Sequence, residues 1–392
     1  MALTRMNTEI GIALNELTSG VRPQSAEVKF VNETVQDVAR DLRFKLGDRG
    51  ADLGEIRASG LGYANLLYMA TVVVELTKAQ EADLTLFLVE EPEAHLHPQL
   101  QMLVLEFLLE KAKASATRVT APGQPEGRIQ VVVSTHSPNL TAWVPPKHLV
   151  VVRSVAMANE VSPGSACVPI AMLNMDVPSL KKINRYLDVT RSAVLFGTRT
   201  ALVEGIAEAL LLPVLAKKLV LAADHDGWLR FKGTTLVPID GVDFRPYVRI
   251  LLSSHNGSRT ADRVVVVTDA DPSLPGNRKL DLEALAAELG AAAALSVFTN
   301  QRTLENDLLV AGNEAVLKSV FLSIHPHSEE RWNATVETRP SADRGDAFVS
   351  LLAESRTRKG DFAQELAAAI EAGAHFVVPE YLRLAIHKIG EA

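Results

Sequence analysis

Carboxylates on three separate segments form the most chemically specific pattern in this sequence. TALVEGIAEALLLPVL, Thr200 to Leu215, reads as a strand running directly into a helix, with Glu204 at the strand end. Glu208 follows four residues on, one helical turn away, so the two side chains can share a face. VVVVTDADPS, Val264 to Ser273, reads as a second strand that ends in Asp269 and Asp271. Residues two apart on an extended chain point to the same side. QRTLENDLL, Gln301 to Leu309, adds Thr303 and Glu305. Carboxylates gathered in one place repel unless cations are bound. Their hard oxygens suit Mg²⁺ or Mn²⁺ rather than zinc, and no cysteine cluster competes. Two such ions about 3.5–4 Å apart activate a water and hold the leaving oxygen of a phosphodiester. Lys359, in RTRKGDFAQEL, offers a positive charge for the transition state. Taken alone, Glu208 reads as a helix-surface residue, and Lys359 beside Arg356 and Arg358 as a solvated basic face. Asp-x-Asp after an apolar strand is harder to dismiss, because burying that edge without a cation is costly.

A second acidic strand end lies upstream. In LTLFLVEEPEAHLHPQL, Leu84 to Leu100, an apolar strand delivers Glu90 and Glu91 to the carboxyl edge of a sheet, where ligands bind in open α/β folds. Glu90 suits a magnesium ion, and Glu91 suits the activation of a water for attack on phosphate. Glu93, His95, His97 and Pro98 follow in a turn. VVVSTHSP, Val131 to Pro138, brings His136 to the end of another strand, placed to sense a terminal phosphate. ASGLGYANLL, Ala58 to Leu67, opens a helix with small residues, among them Ser59 and Gly60. A helix N-terminus favours an anion.

In this order and spacing, the upstream blocks resemble the ABC ATPase superfamily in its RecF- and SMC-like branch. The resemblance implies that Ser59 and Gly60 fall in the signature motif, Glu90 and Glu91 in Walker B, Glu93 to Pro98 in the D-loop, and His136 at the switch position. The downstream blocks resemble a Toprim domain, with Glu204 as its glutamate, Asp269 and Asp271 as its D-x-D, and VPIDGVDF, Val237 to Phe244, as its middle strand. The pairing resembles the OLD (overcoming lysogenisation defect) family of ATP-dependent nucleases, through LVEGIAEALLLP, TDADP, TLENDLL and KGDFAQELA, over nearly all residues from about Arg57 onward. It implies DNA cleavage with Glu204, Glu208, Asp269, Asp271, Thr303 and Glu305 around two Mg²⁺ or Mn²⁺ ions, and Lys359 as a catalytic cation alongside Glu204 and Asp269. It also implies a homodimer and a role in bacterial or phage defence. One departure stands out: no G-x-x-x-x-G-K-[ST] occurs. Without that loop there is no backbone cradle and no lysine for the phosphates. ATP is therefore expected as a cofactor only if a missing N-terminal lobe is supplied, by a partner protein or by a longer form of the chain.

The elements that must position these groups follow from periodicity. A helix is predicted over Gly62 to Lys78. Strands are predicted at Leu84–Val89 and Ile129–Val133, with a helix at Pro98–Ala114 between them, a βαβ unit. Glu27–Phe30 alternates like a strand, Val35–Asp41 suits a short helix, and Leu149–Arg153 a further strand. Residues 1–155 are read as the carboxyl-terminal portion of an ABC head, 156–192 as a linker, and 193–392 as a Toprim domain with a helical insertion. The expected fold is α/β, a partial ATPase head plus a parallel-sheet Toprim domain with helical additions. In the second domain, strands are predicted at 200–203, 235–239, 263–268 and 294–298. Its helices are predicted at 207–219, 244–253, 281–289, 314–322, 342–354 and 361–372.

The chain has 392 residues, 47% apolar and 22% charged, a balance that fits two or three soluble domains. No run of 18 apolar residues suggests a membrane span, and the N-terminus lacks a signal-peptide pattern. Cys167 is the single cysteine, which excludes an internal disulfide and fits a reducing, cytoplasmic setting. The net charge of −7 excludes DNA binding through bulk charge. DNA contact is left to patches such as Lys181, Lys182, Arg185, Arg191 and Arg199, or Arg339, Arg344, Arg356, Arg358 and Lys359. The leading expectation is a two-metal DNA endonuclease or nickase. The rivals are a topoisomerase- or primase-type Toprim enzyme, and a DNA-binding ABC scaffold without nuclease activity.

Overall fold

A computed structural model describes residues 2–18, 24–29, 43–48, 54–55, 60–78, 82–155, 163–173, 175–187, 191–270 and 277–392. The helix expected at Val35–Asp41 lies outside them. The chain divides into two compact units, Met1–Trp143 and Val144–Ala392.

In the first unit, α1 (Ala2–Thr18) precedes an antiparallel sheet of β1 (Gln24–Lys29), β2 (Arg43–Asp48) and β3 (Gly54–Glu55). α2 (Leu61–Lys78), β4 (Leu84–Glu90), α3 (Pro98–Ala116), β5 (Arg128–Ser134) and the short α4 (Pro138–Ala142) follow. The expected βαβ unit is present, since β4 and β5 pair in parallel from Leu84↔Arg128 to Glu90↔Ser134. α1 was not foreseen. Its buried Ile10, Ala13, Leu14 and Leu17 recur at helical spacing and pack with Leu66, Leu67 and Ala70 of α2 and Val104, Phe107 and Leu108 of α3. Asn15 and Glu16 between them are exposed.

The second unit begins with an antiparallel pair, β6 (Val150–Val155) and β7 (Gly164–Pro169), and α5 (Val177–Tyr186). Next come β8 (Arg199–Val203), α6 (Ile206–Leu215), α7 (His225–Lys232), β9 (Thr235–Pro238), α8 (Arg245–Leu252), the hairpin β10 (Ser254–His255) and β11 (Ser258–Arg259), and β12 (Arg263–Thr268). α9 (Arg278–Glu288), β13 (Leu295–Thr299), α10 (Leu304–Val310), α11 (Glu314–Ile324), α12 (Glu329–Trp332), α13 (Arg344–Glu354), α14 (Lys359–Glu371) and α15 (Glu380–Gly390) complete it. The sheet has the order β13-β12-β8-β9, and all its pairings are parallel.

Parallel strands covered on both faces need apolar side chains on both, and Val264–Val267 are all at most 1% exposed. Alternate residues feed two cores. Ala201, Val203, Val265 and Val267 join α6, α10, α11, α13, α14 and α15. Leu202, Val264, Val266 and Val297 join α5, α8 and α9. Each fully buried Val contributes about 1.5 kcal/mol or more. Residues 144–192 were read from sequence as the end of the first domain plus a linker. In the structure the described residues among them belong to the second unit, where Val168, Ile170, Leu173, Ile183 and Leu187 enter its second core. α10 and α15 were not foreseen from the sequence.

Candidate functional site

The carboxyl ends of β8 and β12 lie side by side, because Val267 pairs with Val203. Glu204 and Asp269 follow these strands directly. Glu204 Oε2 accepts three hydrogen bonds: from Thr268 Oγ1 at 2.7 Å, from the Asp269 amide at 3.0 Å, and from Arg278 Nη1 at 3.1 Å. Its Oε1 has no hydrogen-bond partner among the described residues. Glu208 sits in the first turn of α6, where Oε2 accepts the Gly205 N–H at 3.1 Å and closes the helix start. Asp269 Oδ1 accepts from the Asn300 amide, while the Ala270 N–H donates to Asn300 Oδ1 at 2.9 Å. Glu305 lies in the first turn of α10 and pairs with Lys359 Nζ at 3.0 Å from Oε1 and 3.2 Å from Oε2.

Glu204, Gly205, Ile206, Ala207, Glu208, Asp240, Gly241, Asp269, Glu305 and Lys359 line one cleft of about 360 Å³. Asp240 and Gly241 reach it because the Ile239 and Gly241 N–H groups continue the pairing with Val203 and Glu204. Asp240, at φ 50°, holds a left-handed conformation there and pairs with Arg191 at its exposed edge.

The electrostatics follow from burial. Glu208 is 7% exposed and Asp269 8%. Burial, reinforced by the charges of Asp269, Glu305 and Glu204, pushes Glu208 up to about 7. Burial, then the charge of Glu204, pushes Asp269 up to about 7 against the Asn300 hydrogen bond. Burial pulls the Lys359 ammonium down, but the charges of Glu305, Asp269 and Glu208 outweigh it, and the net shift is upward. Three buried carboxylates facing one cation leave an excess of negative charge that a bound cation relieves. The donors are oxygens, which fits a hard divalent ion. Among the described residues, no three His, Cys, Asp or Glu side chains close around one point. The carboxylates line the cleft separately, each of Glu204, Glu208 and Asp269 with one oxygen held by the scaffold.

The cleft thus unites five of the sequence-predicted residues: Glu204, Glu208, Asp269, Glu305 and Lys359. Thr303 is not part of its lining; its hydroxyl caps α10 by accepting the Asn306 N–H at 3.3 Å, which sets the turn that carries Glu305. Asp271 lies outside the described residues. Arg278, Asn300 and Asp240 were missed, since an isolated Arg, Asn or Asp carries no spacing signal.

The first unit gathers the other set in the open. Glu90 ends β4, and Glu91 follows at φ 43° with its N–H on the Ser134 carbonyl at 2.9 Å. His136 Nε2 lies 3.5 Å from Glu91 Oε1, with side chains 83% and 55% exposed. Glu93 ties the two strand ends together, accepting from Thr135 Oγ1 at 2.6 Å and the His136 N–H at 2.9 Å. Gly60 is exposed where α2 opens, and a side chain at Gly62 would meet the His95 carbonyl at 2.4 Å, so α2 packs tightly on the 92–97 turn. Ser59 lies outside the described residues.

Paired parallel strands thus deliver a glutamate and an aspartate to one cleft, at the carboxyl edge of a sheet with helices on both faces. Residues 195–271 match the family model for the Toprim domain of proteins like the overcoming lysogenization defect protein, and residues 3–141 match that for an AAA ATPase domain. The chain thus joins an ATPase domain to an OLD-like Toprim domain, the make-up of an OLD-family ATPase–Toprim protein. At family level this is a nuclease architecture, and Toprim domains generally use divalent metal ions. Similar solved structures include the C-terminal region of the Burkholderia pseudomallei OLD protein, at 24% identity and a TM-score of 0.36, covering 50% of this chain and 98% of that one. The C-terminal region of the Xanthomonas campestris pv. campestris OLD protein matches at 28% identity and 0.38, covering 50% and 95%. An Smc head domain from Pyrococcus furiosus matches at 17% identity and 0.30, covering 46% and 37%. No curated protein matches the chain. No helix among the described residues is long and apolar enough to cross a membrane.

Proposed function

We propose that this chain is a divalent-metal-dependent DNA endonuclease or nickase whose site is the cleft between β8, β12 and α14. The observation that carries this reading is the single cleft lined by Glu204, Glu208, Asp269 and Glu305 with Lys359 at its edge. Glu204, Glu208, Asp269, Asp271 and Glu305 would hold two Mg²⁺ or Mn²⁺ ions, with Thr303 in support. Bound there, such ions supply an activated water and charge neutralisation at a phosphodiester. Without an ion, burial and mutual repulsion hold the Glu208 and Asp269 carboxyls up to about 7, and a bound cation would favour their ionised forms. Lys359, with its side chain 64% exposed beside a Glu305 only 6% exposed, stands where it can meet an incoming phosphate. DNA is the substrate class, with little sequence preference. The working form is a cytoplasmic homodimer in bacterial or phage defence.

The exposed Glu90, Glu91 and His136 suit an ATPase half-site that needs a phosphate-binding loop from elsewhere, with Ser59 and Gly60 as its signature. By itself, the chain is not expected to turn over ATP. A strand-passing reaction is disfavoured: none of the five tyrosines lines the cleft, and Tyr247 and Tyr381 are buried.

Plasmid nicking by the full chain in Mg²⁺ or Mn²⁺ tests the reading. Nicking should appear with either ion, vanish in chelator and be lost in Asp269→Ala. Cleavage that survives Asp269→Ala combined with Asp271→Ala would falsify it.

A further inference from the structure

Two side chains outside the cleft control how its carboxylates present themselves. The Ala270 N–H can only donate, so Asn300 must turn its Oδ1 toward it. The Asn300 amide nitrogen is then left facing Asp269 Oδ1, and it donates there. Asn300 directly follows β13, is 5% exposed, and has no freedom to flip without breaking both bonds. Arg278, at the start of α9, donates from Nη1 to Thr268 Oγ1, to the Asp269 carbonyl at 2.8 Å and to Glu204 Oε2 at 3.1 Å. The Thr268 hydroxyl, having accepted from Arg278, passes its own hydrogen to Glu204 Oε2. With the Asp269 N–H, these donors all meet on one oxygen of Glu204, as Asn300 meets one oxygen of Asp269. The opposite oxygens, Glu204 Oε1 and Asp269 Oδ2, have no hydrogen-bond partner among the described residues.

We propose that Arg278 and Asn300 are positioning residues: by engaging one oxygen of Glu204 and one of Asp269, they fix which oxygens face the cleft and so set its affinity for a divalent cation. This rests on the metal-dependent reading above. The physical basis is that a flexible carboxylate binds a cation weakly if it must first lose its side-chain freedom. Outer partners that orient ligands are commonly worth 10–100-fold in metal affinity. A pair that only satisfied buried polar groups would alter stability and leave cation affinity alone.

The test is a Mn²⁺ titration of the full chain by calorimetry, with electron paramagnetic resonance spectra at saturating Mn²⁺. The parent is compared with Arg278→Lys, Asn300→Ala and Asp269→Ala. Arg278→Lys keeps the charge but has a shorter side chain, which withdraws the donor from the Nη1 position that makes all three bonds, so it isolates geometry. Arg278→Lys and Asn300→Ala should each bind Mn²⁺ about 10–100-fold more weakly, with a changed spectrum at saturation. Melting in chelator should show Arg278→Lys still folded, and this variant carries the test if Asn300→Ala is not. If Asp269→Ala abolishes binding while Arg278→Lys matches the parent in affinity and spectrum, the positioning role is wrong and the metal reading stands. If the parent binds no Mn²⁺, or Asp269→Ala binds as the parent does, the metal reading fails and takes this inference with it.

Discussion

Two acidic strand ends in this chain look alike as strings and differ as sites. LFLVEE ends β4, and VVVVTD ends β12. Along β4, residues alternate between exposed and half-buried, and Glu90 and Glu91 emerge into water beside an exposed His136. Along β12, every residue after Arg263 is buried, and Asp269 emerges into a cleft already holding Glu204, Glu208 and Glu305. Solvent screens the first set, whose Glu91–His136 contact at 3.5 Å is worth little. Burial makes the second set interact strongly, and two of its members are shifted to about 7. The difference comes from the neighbouring layers: helices cover both faces of the β12 sheet, while Leu84, Leu86 and Leu88 leave one face of β4 open.

The comparison is broken most severely by removing charge from the buried cleft. Beyond Asp269→Ala, whose loss should be several kcal/mol of transition-state stabilisation, Lys359→Ala should lower the nicking rate about 10²–10³-fold. Single-turnover rates at saturating Mg²⁺ check this, and an unchanged rate would remove Lys359 from the site.

A smaller effect concerns pH. Glu208 and Asp269 keep protons up to about 7 in the folded chain, against ordinary values of 4.5 and 3.8. The folded state therefore binds more protons than the unfolded one between those limits. This stabilisation is complete below about pH 4 and is lost as pH rises through 7, with a slope of up to about 1.4 kcal/mol per pH unit for each proton. In chelator, the melting temperature of the second unit should fall between pH 5 and pH 8. Added Mg²⁺ should reverse the fall, more strongly at higher pH. A flat profile in chelator contradicts the strong coupling.

The smallest effect is the control on the open set. Glu91→Gln should shift the melting temperature of the first unit by an amount equivalent to less than about 0.5 kcal/mol and leave Mg²⁺-dependent nicking unchanged. A large change in either would show that the two sites are not as different as their burial implies.

Much of this architecture was legible from residue order alone. The strand predicted at 263–268 is the strand observed, and β4, β5, β8 and β13 fall within a residue or two of their predicted limits. Valine runs and helical periodicity are local properties, so they survive without knowledge of the fold. The αβ order around Glu204 and Asp269 also implied that both would reach one sheet edge. Tertiary structure decided the rest. α1 hides its apolar stripe among polar residues, and residues 156–192 read as a linker because their apolar side chains show no regular period, although Val168, Ile170, Leu173, Ile183 and Leu187 enter the second core. Arg278 and Asn300 act through partners 74 and 31 residues away, Glu204 and Asp269. A hydrogen bond across that separation exists only once parallel strands have set the distance, and no local pattern of residue types encodes it.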